Sequence, residues 1–362
     1  MTQELTTSTA ETTRRPGKVI LLGSGETSAT ARRVYDRVLG VPARPLRVAV
    51  LETPAGFELN SDHVVGRIAS FFQERLPHLR PQVTVVPARR RDGPFSTDSA
   101  EVVEPLWAAD VIVAGPGSPT YAVRHLQNTL CWQSVLARHW QGATLILASA
   151  MTIAIGRKAL PVYEIYKVGE DPHWKPGLDL FGGYGLDLVF VPHWNNREGG
   201  ETLDTSHCYI GAPRFELLRE QLAETTTVVG IDEYTAMVMD PAAGQAEVRG
   251  VGGVTVLQGG ESTRFKAGAR FPLDRLGPFT LPEAAPWPIP EVVWEAIDRA
   301  VRSTATPRPP REVLSLFERR VEARARRDWE TADALRSQIE ALGWAVEDTP
   351  EGSRLRPLDP CT

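Results

Sequence analysis

Cysteine is scarce in this chain. The 362 residues include only Cys131, Cys208 and Cys361, and no two of them form a C-x-x-C pair. This spacing excludes a disulfide framework and a cysteine-based zinc site, and no other metal or nucleotide signature is present. We therefore expect no cofactor and no metal, and a reducing compartment.

Long apolar runs and an excess of positive charge are also missing. No stretch approaches the roughly 20 apolar residues that span a bilayer, and the Thr-rich residues 1–17 lack the apolar segment of a signal peptide. With a formal net charge of −5, the chain as a whole has no basic field for nucleic acid. We expect residues 1–17 to be a disordered lead-in and the protein to be cytoplasmic, with no membrane partner.

Short apolar runs alternate with amphipathic segments over residues 18–149. The runs are continuous in Val, Ile and Leu, as in parallel strands covered on both faces. They are KVILLGSGE (18–26), LRVAVLET (46–53), QVTVVPA (82–88), ADVIVAGPG (109–117) and ATLILAS (143–149). Helices are expected over residues 30–40, 63–76 and 118–140. The alternation predicts an α/β fold with a doubly wound parallel sheet.

Turn-forming and polar residues follow four of these strands. They are residues 23–26 after the first strand, 53–55 after the second, 115–119 after the fourth and Ser149 after the fifth. Ligands of open parallel sheets bind outside the carboxyl ends of the strands, so the four segments predict one crevice. We expect Glu26 to line this crevice, with a role in capping the next helix as the alternative.

The pattern changes after residue 156. We expect a strand over 185–194, a helix over 212–224, and short strands between 227 and 260 that add to one side of the sheet in antiparallel fashion. Residues 271–310 are proline-rich and predict a semi-rigid linker around a short helix at 292–303. The main domain is therefore predicted to span residues 18–270.

Residues 311–362 predict a helical hairpin followed by a small β-ribbon. In the first helix Leu314, Phe317 and Val321 have the spacing of one apolar face. The second helix has the same kind of face and ends at Gly343; its apolar residues are Ala332, Leu335, Ile339 and Leu342. The ribbon is expected to turn at residues 350–352.

The ordered motifs of the main domain resemble those of the cyanophycinase and peptidase E group of serine peptidases. The motifs are GSGE (23–26), ADVIVAGPGSPTYAV (109–123), a serine after the fifth strand, HW (193–194) and GIDEYTA (230–236). The resemblance covers roughly residues 18–260 and implies a class I glutamine amidotransferase-like, flavodoxin-like fold with helices on both faces. It also implies hydrolysis of a small peptide or amide bond.

Carried onto this sequence, the resemblance implies a catalytic triad. Ser149 is the nucleophile, His193 the general base and Glu233 the acidic partner, with Asp232 a weaker choice for the last role. The resemblance further implies an oxyanion hole formed by the backbone N–H groups of two residues. These two residues are Gly117 and Ala150.

The sequence departs from the family around the serine. Leu147 and Met151 stand where the family has glycines, and two large side chains there are expected to open the turn and displace the hydroxyl by about an ångström. Pro116 has no N–H to offer to the oxyanion turn. The family's basic residues after its histidine are largely replaced by Asn195, Asn196, Glu198 and Glu201, so the substrate need not be acidic.

Structural alternatives remain open for each of these residues. Ser149 is also interpretable as the last residue of a non-catalytic strand, and His193 as a hydrogen-bonded structural histidine. His207 and Cys208 raise the possibility of a Cys-His dyad, which a position in a polar loop disfavours.

Residues 322–357 resemble the C-terminal module of cysteinyl-tRNA synthetases, at their anticodon-binding end. The matching residues are Arg324, Asp328, Trp329, Ala332, Asp333, Arg336, Glu347, Asp348, Thr349, Pro350, Gly352 and Arg354. No HIGH or KMSKS motif occurs in the chain, which excludes aminoacylation. The resemblance implies at most a docking module, for tRNA or for a protein partner.

The charge of this tail is balanced overall. Nine arginines are set against ten acidic residues over 311–356, which disfavours unspecific binding of polyanions. A local basic stripe is nevertheless present and offers a contact for phosphate; it consists of Arg319, Arg320, Arg324, Arg326 and Arg327.

Two functions follow as hypotheses. The first is a serine hydrolase of the peptidase E and cyanophycinase type, which acts on a small peptide or amide. The alternative is a catalytically inactive amidotransferase-like scaffold whose tail binds tRNA or a translation-related partner. The sequence leaves the identity of the substrate and the oligomeric state open.

Overall fold

The structure, a computed structural model, describes residues 15–304, 309–349 and 352–358. Most of the predicted lead-in, residues 305–308 of the predicted linker, Pro350 and Glu351 of the ribbon turn, and Cys361 lie outside the described residues. The chain divides into two compact units, with the division between Ala300 and Val301.

The secondary-structure elements are numbered here in chain order. The helices are α1 (Ala29–Leu39), α2 (Ser61–Arg75), α3 (Ala100–Trp107), α4 (Pro119–Leu126), α5 (Leu130–Trp140), α6 (Ala150–Ala154), α7 (Ala212–Glu220), α8 (Glu291–Thr304), α9 (Arg311–Ala325) and α10 (Trp329–Ala341). The strands are β1 (Val19–Leu22), β2 (Arg47–Leu51), β3 (Gln82–Val86), β4 (Val111–Ala114), β5 (Thr144–Ala148), β6 (Lys158–Ala159), β7 (Lys175–Pro176), β8 (Leu188–Val191), β9 (Thr227–Ile231), β10 (Thr235–Asp240), β11 (Gln245–Gly250), β12 (Gly253–Gln258), β13 (Glu261–Lys266), β14 (Arg270–Pro272), β15 (Trp344–Thr349) and β16 (Gly352–Pro357).

The larger unit contains an eight-stranded sheet in the order β14-β11-β10-β1-β5-β4-β2-β3. The last five strands of this order are mutually parallel, and β10, β11 and β14 extend the sheet in antiparallel fashion. Strands β3, β2, β4 and β5 repeat the 2-1-3-4 order of flavodoxin-like sheets, and β1 takes the next position. The predicted fold is confirmed.

Helices cover both faces of this sheet because its central strands are apolar on both sides. Leu145 and Leu147 of β5 enter one hydrophobic cluster, and Ile146 and Ala148 enter the other. Side chains of a strand alternate between its faces, so a continuous apolar run needs cover on both. Leu22 pairs with Ala148 in the register of β1 and β5, and the residues that follow the two strands therefore leave the sheet side by side.

The strands after residue 185 differ in part from the prediction. β10 and β11 add to the main sheet as expected, but β9 and β12 do not. They form a second sheet in the order β13-β12-β9-β8, in which β8 and β9 are parallel. The chain passes from the second sheet to the main one between β9 and β10, at residues 232–234.

The sequence predicts a single helix over residues 118–140, but the structure has two helices there, α4 and α5. Asn128 between them has a positive φ of 59°, which ends a helix, and the Thr129 side chain accepts a hydrogen bond from the Trp132 N–H as the cap of α5. An apolar periodicity that continues through the break conceals it in the sequence.

The proline-rich segment begins within the larger unit. Phe271 of β14 is buried, as are Leu273 and Leu276 just after it, and all three belong to a cluster of the main core. Trp287 packs against Tyr184 with ring centroids 5.6 Å apart. Residues 271–300 thus pack with the main domain although their composition is that of a linker.

The smaller unit is a hairpin of α9 and α10 with the ribbon β15–β16. Of the face expected for α9, Phe317 packs against the core, but Leu314 and Val321 are 42% and 44% exposed, and Val313 and Leu316 are buried instead. In α10 Leu342 is likewise exposed, although its other three predicted core residues are buried. The side chains of the core are Val313, Leu316, Leu335, Ile339, Trp344 and Val346.

Candidate active site

Ser149 stands on a sharp turn between β5 and α6. Its φ of 51° and ψ of −111° lie outside the regions that non-glycine residues usually adopt. Such strain persists only where the surroundings impose it, and it concentrates at functional sites. A serine between a buried strand and a helix, with this backbone geometry, has the arrangement of a nucleophile elbow.

The displacement expected from Leu147 and Met151 does not occur. Both side chains are 1% exposed and lie in one hydrophobic cluster of the core, while Ser149 itself lines a cavity and lies within hydrogen-bond distance of His193. Thr152 supports the turn from below, since its Oγ1 lies 2.9 Å from the Leu147 carbonyl oxygen and 3.0 Å from that of Leu22.

Ser149, His193 and Glu233 form a continuous hydrogen-bonded row. The Ser149 Oγ lies 3.0 Å from the His193 Nε2, and the His193 Nδ1 lies 2.9 Å from a carboxylate oxygen of Glu233. His193 follows β8 with a φ of 49°, and its N–H donates to the carbonyl of Gly23 at 3.2 Å. The imidazole is thereby fixed between the hydroxyl and the carboxylate, with one nitrogen toward each.

Two asparagines hold the carboxylate partner. The Asn196 Nδ2 donates to the same Glu233 oxygen as the histidine does, at 2.9 Å, and the Asn195 Oδ1 accepts from the Glu233 N–H at 2.8 Å. Asn196 is 1% exposed. The sequence shows these two residues only as replacements for basic residues, and it gives no signal for their contacts.

Asp232, the weaker choice for the acidic residue, faces away from the histidine. It is 1% exposed, accepts a hydrogen bond from the Gly253 N–H at 2.8 Å and pairs with Arg264. These contacts join β9 to β12 and β13 and leave the role of acidic partner to Glu233.

A cavity of about 310 Å³ opens beside the serine. Gly117 and Ala150, expected to form the oxyanion hole, both line it. Any side chain at Gly117, where φ is 141°, would overlap the carbonyl of Pro54. Glu26, expected in the crevice, is not among the lining residues, and its carbonyl accepts a hydrogen bond from the Tyr35 hydroxyl at 2.9 Å.

Three side chains that line the cavity, Tyr166, Lys167 and Tyr209, are not among the residues that the sequence predicts for the site. Tyr166 and Lys167 belong to a π-helical turn, Glu164–Val168, and such turns are frequent at functional sites. Tyr209 ends a run of three consecutive residues with positive φ. The Tyr209 ring centroid is 5.7 Å from that of His193 and 5.6 Å from that of Tyr166.

The structure brings no Cys-His dyad together. Cys208 lines the cavity but is 3% exposed, and burial, followed by the charge of Glu233, raises the pKa of its thiol well above the usual range. The His207 ring turns away and stacks on Phe215 with centroids 4.5 Å apart. Cys208 lies in a turn between β8 and α7, in line with the expected loop, but its thiol is buried rather than open to solvent.

Two of the five arginines of the tail's basic stripe are used within the fold. Arg320 is 2% exposed, and its two terminal nitrogens donate to Asp348 at 3.1 and 2.9 Å. Arg324 pairs with the same carboxylate and lies over the Trp329 ring, 5.7 Å from its centroid. Asp348, one of the matched motif residues, therefore serves the packing of the hairpin against its ribbon.

Two features are absent from residues 15–304, 309–349 and 352–358. No helix in these ranges is long and apolar enough to cross a membrane. Within the same ranges, no group of three or more His, Cys, Asp or Glu side chains is arranged to hold a metal ion.

Comparison with known proteins assigns the tail. Residues 306–356 match the family of the cysteinyl-tRNA ligase anticodon binding domain. The chain is 52% identical over 46 residues to cysteine–tRNA ligase 1 of Burkholderia lata and 49% identical over 47 residues to the cysteine–tRNA ligase of Methanosarcina mazei. Each match covers 13% of this chain and 10% of the relative, so the chain spans about a tenth of the length of these relatives.

The main domain is similar to solved structures in its fold. A peptidase from an acI-B1 Actinobacterium aligns over 72% of this chain and 98% of that chain, with a TM-score of 0.57 and 19% identity. A protein from Listeria monocytogenes EGD-e aligns over 70% of this chain and 100% of that chain, with a TM-score of 0.39 and 13% identity, which adds nothing to the assignment. The chain thus joins a domain with the α/β fold of a peptidase to a segment that matches the anticodon binding domain of cysteinyl-tRNA ligases.

Proposed function

We propose that the main domain is a serine hydrolase of the peptidase E and cyanophycinase type, which cleaves a peptide or amide bond of a small substrate. The distance of 3.0 Å between the Ser149 hydroxyl and the His193 Nε2 is the observation that carries this proposal. A serine hydroxyl becomes a useful nucleophile when an adjacent base can take its proton.

The reaction follows from the order of the hydrogen bonds. His193 Nε2 takes the proton of Ser149 as the oxygen attacks the substrate carbonyl, and Glu233 stabilises the imidazolium that results. The negative charge on the carbonyl oxygen meets the N–H groups of Ala150 and Gly117. The histidine then returns its proton to the leaving amine, and water hydrolyses the acyl-serine through the same base.

The cavity supports a small substrate. Its volume of about 310 Å³ is near the lower end of the range for ligand sites. Tyrosine rings and aliphatic side chains form most of its wall, and Lys167 and Glu198 are the charged residues that line it. We therefore expect short peptides or amides to be cleaved in preference to folded proteins.

Covalent labelling with a fluorophosphonate tests the proposal. The wild-type chain is expected to gain one label at Ser149, located by peptide mapping, and Ser149→Ala is expected to gain none. Ser262→Ala, which removes an exposed hydroxyl in β13, serves as the matched control and keeps the label. A wild-type chain that stays unlabelled and hydrolyses no dipeptide would overturn the proposal.

The tail supports a second role, because it matches an anticodon binding domain. We propose that residues 306–356 dock on tRNA. Arg319, Arg326 and Arg327 of the basic stripe are exposed and form no ion pair with any residue that the structure describes. They remain available for phosphate, unlike Arg320 and Arg324.

A titration of the full chain against tRNA at two salt concentrations tests this role. Arg326→Glu combined with Arg327→Glu is expected to weaken binding and to flatten its salt dependence. An absence of binding at low salt would rule tRNA out and leave a protein partner as the alternative for the tail.

A further inference from the structure

Glu198 places a carboxylate in the wall of the cavity where neither the triad nor the oxyanion hole requires one. It lies five residues after His193 and lines the same cavity as Ser149. A carboxylate beside the scissile bond is costly for an acidic substrate and favourable for a cationic one.

The backbone of Glu198 is tied directly to the triad. Its N–H donates to the Asn196 Oδ1 at 3.1 Å, and the same asparagine donates through Nδ2 to Glu233 at 2.9 Å. Asn196 is buried, whereas Glu198 itself is exposed, on the cavity side of this link. The position of the residue in the wall is consequently fixed relative to the histidine.

Tyr209, which lines the same cavity, interacts with the side chain of Glu198. Burial raises the pKa of the Tyr209 hydroxyl well above its usual value, and the charge and hydrogen bond of Glu198 raise it further. The hydroxyl therefore keeps its proton and is the donor to the carboxylate. A carboxylate offers about four lone pairs, and one hydroxyl satisfies only one of them.

No cation of the described residues neutralises this carboxylate. Within residues 15–304, 309–349 and 352–358, no lysine, arginine or histidine forms an ion pair with Glu198. Lys167, the lysine of the cavity, lies over the Tyr166 ring with its Nζ 4.6 Å from the centroid. A charged group with spare acceptors in a partly enclosed cavity is placed to receive a ligand cation.

We propose that Glu198 binds a positively charged group of the substrate, so that the hydrolase selects peptides or amides with a free α-amine or a basic side chain near the scissile bond. This inference rests on the proposed function, since it assigns the specificity of the same site. Both kinds of group offer the same N⁺–H donors, and the experiment below distinguishes them.

Steady-state hydrolysis of three matched sets of dipeptides tests the inference. One set has a free α-amine and neutral side chains, the second is the same set N-acetylated, and the third is N-acetylated with lysine or arginine before the scissile bond. The wild-type chain is expected to cleave the first or the third set in preference to the second, and the preferred set identifies the source of the cation.

Glu198→Gln is expected to lower kcat/KM for the preferred set by about 10- to 100-fold, the range for hydrogen bonds to a charged group. It should leave the acetylated neutral set nearly unchanged. Glu201→Gln removes an exposed carboxylate of the same loop that does not line the cavity, and it serves as the control.

Two results would overturn the inference without affecting the proposed function. In one, Ser149 reacts with fluorophosphonate but the chain prefers the acetylated neutral set or cleaves none of the cationic peptides. In the other, Glu198→Gln lowers hydrolysis of all sets equally. An unreactive Ser149 would instead refute the proposed function itself.

Discussion

A Glu233→Gln variant separates the charge of the acidic residue from its orienting hydrogen bond. One oxygen of Glu233 accepts from both the His193 Nδ1 and the Asn196 Nδ2, each at 2.9 Å. Because both groups are donors, they favour the orientation of the glutamine in which its carbonyl oxygen replaces this carboxylate oxygen. The NH₂ group of the glutamine then points away from the histidine. The histidine then keeps its proton on Nδ1 and presents a bare Nε2 to the serine.

The expected loss is therefore small. Hydrogen bonds to charged groups contribute about 1.5–3 kcal/mol and neutral ones about 0.5–1.5 kcal/mol. A difference of about 1.4 kcal/mol corresponds to about 10-fold in rate. In a serine protease, replacing the triad aspartate by asparagine fixes the wrong histidine tautomer and lowers kcat about 10⁴-fold. We expect Glu233→Gln to slow labelling of Ser149 by only about 10-fold.

Combining Glu233→Gln with Asn196→Asp is expected to produce the large loss. An aspartate at 196 still accepts from the Glu198 N–H, but it has no donor for the glutamine oxygen. Its charge instead attracts the glutamine NH₂, which then faces the His193 Nδ1 and forces the ring proton onto Nε2. The serine loses its base, and the rate falls toward that of a His193→Ala variant.

The assay is the rate of fluorophosphonate labelling, followed by intact-protein mass spectrometry, for the wild-type chain, both single variants and the double variant. Circular dichroism checks that each variant is folded. If Glu233→Gln alone were as slow as the double variant, the idea that Asn196 orients the acidic partner would be refuted.

Three further predictions concern the packing around the two units. Asp348→Ala leaves the buried Arg320 without its carboxylate and should speed hydrogen exchange in residues 311–349. Hydrogen bonds from Arg320 and Ser353 hold the pKa of Asp348 well below its usual value. The slower exchange of the wild-type chain relative to the variant should therefore be fully present above about pH 4 and diminish as the pH falls further. Gly230→Ala places a methyl group against the Trp194 indole and should lower the free energy of unfolding in urea by about 1–3 kcal/mol. Cys208 should resist iodoacetamide at pH 8 in the native chain and react in urea, as measured by peptide mapping, because its buried thiol stays protonated.

The fold and the positions of Ser149 and His193 near strand ends follow from regular patterns in the sequence, whereas the roles of these two residues and of Glu233 are implied by the resemblance to the peptidase E group. Continuous apolar runs predict a parallel sheet, and the carboxyl ends of parallel strands meet at one edge. Ser149 lies directly at such an end, and His193 follows the next buried strand. Strand ends can be located from a run of apolar residues, and the structure brings these two side chains within 3.0 Å.

The walls of the cavity follow from no such pattern. Residues 192–211 have no regular periodicity, and four of them besides the glycines adopt positive φ, among them Cys208 and Tyr209. The left-handed conformation of a residue with a large side chain depends on tertiary contacts that local sequence does not encode. The contacts of Asn196 and Glu198 were therefore out of reach of sequence analysis.

The buried face of α9 includes a charged residue that pairs with a residue far along the chain. Leu314 and Val321 make as good a helical stripe as Val313 and Leu316, so periodicity does not decide between the two faces. Arg320 lies on the face that is buried, and its guanidinium pairs there with Asp348, 28 residues later in the chain. Arg320 belongs to a basic stripe in the sequence, but in the fold it is buried inside the hairpin.

The position of Glu233 depends on how the two sheets of the main domain are joined. Asp232 is fastened to the second sheet through the N–H of Gly253 at 2.8 Å, and the N–H of Tyr234 donates to Ser24 Oγ, beyond the end of β1, at 3.1 Å. The residue between them is held from both sides and extends its carboxylate toward His193. The described side-chain contacts of Asp232 are with Gly253 and Arg264 and include neither Ser149 nor His193. We therefore expect substitution of Asp232 to affect the site by displacing its neighbour Glu233. The Asp232 carboxylate therefore stabilises the connection between the two sheets, and the Glu233 carboxylate lies within hydrogen-bond distance of His193.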